Sequence, residues 1–384
     1  MPRLLATLGA GAGETRFVGG CVRDTLLGIE VRDVDLATRL TPETVMTRLE
    51  KARIKAVPTG IAHGTITAVS DGAPVEVTTL RRDVSTDGRR ATIAFTEDWR
   101  EDAARRDFTI NALSADPVSS HVFDYFGGLA DLEARRVRFI GEPLQRIAED
   151  HLRILRFFRF HARFGSGAPD PAALDACAAR ANDLMALSRE RIADELLKLL
   201  GLADPAPTVA LMIERGIFRP VLPEIGSAER LAALVAAERA AGVAGEAVRR
   251  LASLLPPDPE IANAVATRLR LSKRLARRLV SAAEHALDAP EALAYRIGTA
   301  EAIDRFLLNG PPLPDLKALE GWKKPRLAIG GGDLIGMGLE AGPVVAATLQ
   351  AIERDWAAAG FPADAQEVRA LARRHVDQAL RSSQ

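Results

Sequence analysis

Only two cysteines, Cys21 and Cys177, occur in 384 residues. That is too few for a disulfide framework or a cysteine-based zinc site, and each thiol is expected to be a small packing group. No apolar run approaches the roughly 18 residues of a membrane span. The N-terminus lacks a basic region followed by an apolar core and a small-residue cleavage site, so a cytoplasmic location is expected. Surplus charge is missing as well: 51 Lys and Arg balance 51 Asp and Glu. A chain basic all over is excluded, and contact with nucleic acid has to come from local clusters of Lys and Arg. Two glycine-rich stretches lack the context of a nucleotide loop. Gly9-Ala-Gly11-Ala-Gly13 precedes the first strand instead of following it, and Gly330-Gly-Gly332 has no Lys-Ser or Lys-Thr pair after it. Both read as turns or linkers.

The length exceeds one ordinary core and points to two or more domains. Up to about residue 125, the Val/Ile/Thr-rich runs Ile66–Val69, Val75–Thr79 and Ala91–Phe95 alternate with the turn signals Asp71-Gly72 and Asp87-Gly88, and predict strands. Beyond Gly141 the texture changes to long Ala-, Leu- and Arg-rich segments of helical period, broken at Asp204–Pro207 and Pro256–Pro259. A mixed α/β head followed by helices is the expected organisation.

Within the head, Arg16-Phe-Val-Gly-Gly-Cys-Val-Arg-Asp24 predicts a buried strand entering a tight turn at Gly19-Gly20. A phosphate can approach the backbone N–H groups there, with Arg23 placed to pair with it. Val31–Leu36 reads as a second short strand, which puts Asp33 and Asp35 on one face as two hard oxygen donors suited to Mg²⁺. Glu76 alternates with apolar neighbours and on that ground alone is a surface group of a half-buried strand. Arg105-Arg106-Asp107 fits a clamp on polyphosphate or ribose in which Asp107 orients one arginine, and equally a salt-bridged helix start. Glu149–Arg159 reads as one helix, with Asp150, Arg153 and Arg156 as neighbours at three-residue spacing and Arg159 continuing the row. An ordinary Asp/Arg pair on an amphipathic helix fits the same letters. Ser188 predicts the N-cap of a helix running to Leu197. Arg268, Arg270, Lys273, Arg274, Arg277 and Arg278 fall in one predicted helical segment, Ala264–Ala283, suited either to RNA phosphates or to a solvated basic face.

Taken in order, these motifs form a pattern. Gly19-Gly20-Cys-Val-Arg23-Asp24-x-Leu26-Leu27-Gly28 with Asp33-x-Asp35, then Arg105–Leu113, Phe123–Asp131 and Glu149–Arg159, resemble the successive motifs of the class II tRNA nucleotidyltransferase and bacterial poly(A) polymerase family. The resemblance extends to about Leu200 and returns more loosely at Gly332–Pro343. It implies an α/β nucleotidyltransferase head with a short mixed sheet over residues 1–138 and an all-helical neck with a base-reading helix over 139–200. A helical body over 201–320 and a helical tail over 321–384 are then expected to bind tRNA. Further implications are two Mg²⁺ ions on Asp33 and Asp35, with Glu76 as a third acidic residue that assists them or activates the attacking hydroxyl. By the same resemblance Gly19, Gly20, Arg23 and Arg106 contact the nucleotide, Asp107 serves the ribose or supports its neighbours, and Gly127-Gly128 is a hinge.

Asp150 and Arg153, with Arg156 and Arg159, correspond to the protein template for the incoming base. His151 stands where the family more often has Pro, which leaves the flanking spacing intact. The implied activity is template-independent addition or repair of the 3′-terminal CCA of tRNA from CTP and ATP, with release of pyrophosphate. Pro58-Thr-Gly-Ile-Ala-His-Gly-Thr65 is similar to the CCA-adding branch, and no long basic C-terminal extension is present. A poly(A) polymerase, an A-only adding enzyme and a non-catalytic RNA-binding relative are the alternatives. No membrane partner is expected, and the oligomeric state is left open.

Overall fold

A computed structural model of the chain describes residues 1–87, 90–310 and 312–382. Two compact units emerge: Met1–Leu199 with Thr208–Pro223, and Leu200–Pro207 with the chain from Glu224 onward.

Strands β1 (Thr15–Val18), β2 (Asp35–Thr38), β3 (Ala56–Gly60), β4 (Thr65–Ser70), β5 (Ala73–Thr79), β6 (Arg81–Asp87), β7 (Arg90–Phe95), β8 (Ser114–Ala115) and β9 (Val122–Phe123) belong to the first unit. One sheet has the order β3-β4-β5-β2-β1-β8-β9, and β6 pairs with β7 apart from it. β2 runs parallel to β5 while the other neighbours are antiparallel, so the sheet is mixed. Alternation sorts residues between the two faces. Val75 and Val77 enter a core with Leu4, Leu8, Leu36 and Leu49, whereas Glu76 between them is exposed. The expected strands at Ile66–Val69, Val75–Thr79 and Ala91–Phe95 lie inside β4, β5 and β7. Asp71 and Gly72, at φ 53° and 82°, turn β4 into β5 as a two-residue hairpin loop requires. Gly88 of the other turn signal lies outside the described residues. The second strand is shorter than its letters suggest. β2 starts at Asp35, and Asp33 lies in the connection ahead of it. Pairing begins with Asp35 on Glu76 and Leu36 on Phe17, so the preceding residues have no ladder to hold them as strand.

Helices Pro143–Glu149, Arg153–Phe164, Pro171–Ala179 and Arg189–Leu200 follow the strands. The single helix expected over Glu149–Arg159 is broken. Asp150 is extended (φ −152°, ψ 106°), its carboxylate accepts the Leu152 N–H at 3.1 Å, and the next helix starts at Arg153. An Asp side chain that bonds nearby backbone competes with helix formation, which accounts for the break. The new helix is fastened by aromatic packing: Phe157 and Phe160 lie 6.4 and 5.1 Å from Phe108, and Phe139 lies 5.0 Å from it. Phe108 and Phe157 are fully buried, and burial of such a ring contributes about 1.5–3 kcal/mol. Ser188 directly precedes the Arg189–Leu200 helix, and its carbonyl accepts the N–H groups of Arg191 and Ile192. At the expected hinge, a Cβ on Gly128 would collide with the Thr109 carbonyl. Asp124 also accepts the N–H groups of Phe126, Gly128 and Leu129, so this turn is tied down in the present form.

The second unit contains helices and no strand among its described residues. Its basic segment is two helices, Pro259–Arg268 and Lys273–Ala282, instead of the one expected. Arg270 takes φ 52° in the turn between them, and the Ser272 hydroxyl caps the second helix by accepting the Leu275 N–H. Among the described residues no helix is long and apolar enough to cross a membrane.

Candidate active site

β1 delivers the chain to Gly19, whose φ of 71° and ψ of −125° are open to glycine, and the Gly20–Leu26 helix begins at once. A Cβ at Gly19 would lie 2.8 Å from Arg106 Nη1, so the missing side chain lets that guanidinium cross the turn. Arg23 is buried beside it. Its Nε donates to Asp24 at 2.8 Å, its Nη1 donates to Asn111 Oδ1, and its guanidinium lies 4.0 Å from the Phe164 ring centre.

Asp35 and Glu76 are register partners on β2 and β5, and Asp33 is exposed on the connection leading to β2. Burial raises the Asp35 carboxyl above the ordinary range, Glu76 adds to the rise, Arg106 opposes it, and Asp33 pushes it further up. A cation relieves that repulsion, so the donor set fits Mg²⁺. Among the described residues no group of three His, Cys, Asp or Glu side chains forms a complete metal centre. Mg²⁺ ordinarily completes its shell with water and substrate phosphate around one or two carboxylates. Cys21 packs behind this edge with its Sγ 3.7 Å from the Asp35 carbonyl oxygen, and burial pushes its thiol pKa up.

Asp107 does not orient Arg105 or Arg106 as the clamp reading expected. Its Oδ2 accepts Arg156 Nε and Nη2 at 2.8 and 2.5 Å, and its Oδ1 accepts Asn111 Nδ2 at 3.0 Å and the Phe108 N–H at 2.9 Å. The carboxylate that meets Arg105 and Arg106 is Asp102, one turn earlier on the Trp99–Ala104 helix, where i,i+3 and i,i+4 spacing brings it beneath both.

A cavity of about 450 Å³ joins these groups. Gly19, Gly20 and Arg23 line one part, Arg106, Asp107 and Asn111 another, and Asp150, Arg153, Arg156 and Phe160 the rest. Asp33, Asp35 and Glu76 lie outside that lining. Arg159 is turned away, its Nε donating to Glu195 at 2.6 Å. Asp150 sits at the break between two helices, where both carboxylate oxygens accept Arg191 Nη2, at 2.9 and 3.1 Å. The i,i+3 pair between Asp150 and Arg153 is not formed. Arg153 Nη1 donates to Glu149 at 2.5 Å and to the Arg146 carbonyl at 2.8 Å, and its Nη2 to the Arg105 carbonyl at 3.2 Å.

Four contributors escaped the sequence reading: Asp102, Asn111, Arg191 and Glu195. Asp102 and Asn111 carried a local signal, Asp102 lying three and four residues before Arg105 and Arg106, and Asn111 four residues after Asp107. Arg191 and Glu195 stand i,i+4 on one helix, but nothing in their spacing indicates which distant carboxylate or arginine they meet.

In the second unit the six basic residues divide. Lys273, Arg274 and Arg277 are exposed, as is Arg270. Arg268 makes a two-point contact with Glu224, both bonds 2.8 Å. Arg278 is engaged within the unit: its side chain is 12% exposed and donates to Asp304 at 2.6 and 2.9 Å.

Comparison with known proteins agrees with this architecture. Residues 15–138 match the poly A polymerase head domain, and residues 168–229 match the probable RNA- and SrmB-binding site of polymerase A. The mitochondrial CCA tRNA nucleotidyltransferase 1 of Mus musculus is 34% identical over 379 residues, spanning 92% of this chain and 85% of the mouse protein. The CCA-adding enzyme of Lacticaseibacillus paracasei is 31% identical over 94% of this chain and 92% of its own. The crystal structure of the Bacillus stearothermophilus CCA-adding enzyme in complex with CTP superposes with a TM-score of 0.78 at 28% identity, covering 98% of each chain. Full-length similarity of this kind, on a head that carries every expected motif in order, makes the chain a member of the CCA-adding tRNA nucleotidyltransferase family.

Proposed function

We propose that this chain adds or repairs the 3′-terminal CCA of tRNA, using CTP and ATP without a nucleic-acid template. The primer 3′ oxygen bonds to the α-phosphorus, the bond from that phosphorus to the bridging oxygen breaks, and pyrophosphate leaves with the electron pair. Asp33 and Asp35 hold the metal, with two Mg²⁺ ions the expected complement, and Glu76 assists them or takes the hydroxyl proton. Bound Mg²⁺ supplies charge stabilisation at the attacking and leaving oxygens. Gly19, Gly20, Arg23 and Arg106 receive the triphosphate, and Asp107 orients the sugar side of the site through Asn111 and Arg156.

Base choice follows from donor and acceptor patterns. Cytosine and adenine each present an amine donor beside an unprotonated ring nitrogen, whereas uracil and guanine present a carbonyl beside a ring N–H. A carboxylate that accepts from the amine, next to an arginine that donates to the ring nitrogen, fits the first pair and rejects the second. Asp150 and Arg153 take these roles, with Arg156 supporting them. The head at 1–138 and neck at 139–200 carry the chemistry, and the body at 201–320 and tail at 321–384 carry tRNA contacts, led by Lys273, Arg274 and Arg277.

The observation that carries this reading is the single cavity bringing Arg23 and Arg106 together with Asp107, Asp150 and Arg153. Its volume falls in the ordinary range for small-molecule sites, about 300–1,000 Å³. The test uses purified protein, Mg²⁺, separately labelled CTP and ATP, and tRNAs ending before the first C, the second C and the A. Stepwise completion that stops at CCA is expected. Incorporation of A alone, or a growing A tail, assigns the chain to the A-adding or poly(A) alternatives.

A further inference from the structure

Asp102 is 4% exposed, and three donors converge on its carboxylate. Arg105 Nε reaches Oδ1 at 2.9 Å, the Arg81 N–H reaches the same oxygen at 3.3 Å, and Arg106 Nη2 reaches Oδ2 at 3.3 Å. Burial acts to raise this carboxyl, but Arg105 and Arg106 outweigh it and hold it below the usual carboxylate range. One ionised carboxylate therefore serves two guanidinium groups, and positive charge is left over for an anion.

The contact is also directional. With Nη2 fixed on Asp102, Arg106 turns Nη1 toward the Asn111 carbonyl at 3.4 Å and across Gly19. Gly19, Asn111 and Arg106 all line the cavity, and Asp102 does not. Its effect on anything bound there runs through the arginine.

We propose that Asp102 is a positioning residue for the incoming nucleotide, setting the Arg106 guanidinium across the Gly19 turn before the triphosphate arrives. The proposal rests on the reading of Arg106 as a nucleotide contact. A preset donor spares the substrate the work of ordering a long side chain, and misplacement of such a group by about 1 Å costs on the order of a hundredfold. Asp102 also ties the first residue of β6 to the Trp99–Ala104 helix, so a purely structural role has to be distinguished.

The experiment compares wild type, Asp102→Asn, Asp102→Glu, Arg106→Ala and the Asp102→Asn/Arg106→Ala double variant. Steady-state constants for CTP, ATP and tRNA are measured beside thermal melts and a count of active sites. Asp102→Asn is expected to raise KM for CTP and ATP by roughly ten- to a hundredfold with KM for tRNA unchanged. Asp102→Glu, which keeps the charge, is expected to recover part of the loss, and the double variant to be no worse than Arg106→Ala alone. Wild-type nucleotide KM values with fewer active sites or a lower melting temperature, or additive losses in the double variant, overturn the positioning role. If Arg106→Ala itself leaves nucleotide KM unchanged, the assignment of Arg106 fails, and the positioning role fails with it.

Discussion

Asp35 and Glu76 stand opposite each other in register on adjacent parallel strands, facing away from the core that receives Leu36 and Val77. Repulsion from Glu76, added to burial, raises the Asp35 carboxyl. A group whose folded pKa is raised contributes stability below its unfolded value and loses it as pH rises through the folded one. At neutral pH, without metal, ionised Asp35 therefore works against the fold.

Asp35→Asn is accordingly expected to abolish nucleotide addition in Mg²⁺ while raising the melting temperature of the metal-free protein. Asp33→Ala, at an exposed position, is expected to leave only a small residual rate of addition, with the melting temperature and tRNA binding unchanged. Near-normal turnover in either variant removes that residue from the metal site.

Asp107 titrates in the opposite sense. Burial pushes its carboxyl up, but Arg156, Asn111 and the Phe108 N–H together hold it below the ordinary range. Stability from such a group is present above the unfolded value of about 3.9 and is lost as pH falls through the lower folded value. Urea titrations of wild type and Asp107→Asn are expected to differ most near neutrality and to converge in acid. A gap that stays constant with pH shows that the substitution removed packing and not a charge pair.

Cations of the second unit separate into two behaviours. Removing Lys273, Arg274 and Arg277 together is expected to raise KM for tRNA and to flatten its salt dependence by about 0.7–0.9 in log–log slope per lost phosphate contact, sparing KM for CTP. Arg278→Ala leaves Asp304, 1% exposed at its side chain, with Arg249 alone, and is expected to cost about 3 kcal/mol of stability. Equal loss of tRNA affinity in both variants, without a stability difference, contradicts this division.

What could be read from the letters was local. Glu76 was placed by alternation, Gly19 by the end of an apolar run, and the β4–β5 turn by Asp71-Gly72, because each depends on neighbours within a few residues. The readings that failed did so where the deciding partner was a backbone group or lay far along the chain, as when Asp107 met Arg156 instead of Arg105 or Arg106. Asp33 lost its strand for want of a ladder partner. Asp150 broke its helix by bonding the Leu152 N–H, which i,i+3 spacing conceals. Arg278 and Arg274 look alike in sequence, and only Asp304, 26 residues beyond Arg278, separates them.

The central claim, that side chains stand in for a template strand, is tested most directly at Asp150. Arg191 holds its carboxylate in the cavity wall, and truncation removes that acceptor together with the Leu152 N–H bond at the helix break, so the readout is the ratio between nucleotides and not the rate alone. The measurement is relative kcat/KM for CTP, ATP, UTP and GTP on a tRNA lacking its CCA end, for wild type, Asp150→Ala and Asp33→Ala. A bidentate base contact is worth about 1–3 kcal/mol, so preference for CTP over UTP is expected to fall roughly ten- to a hundredfold in Asp150→Ala, with no such relaxation in the residual activity of Asp33→Ala. Loss of all four nucleotides in equal proportion in Asp150→Ala contradicts the template reading.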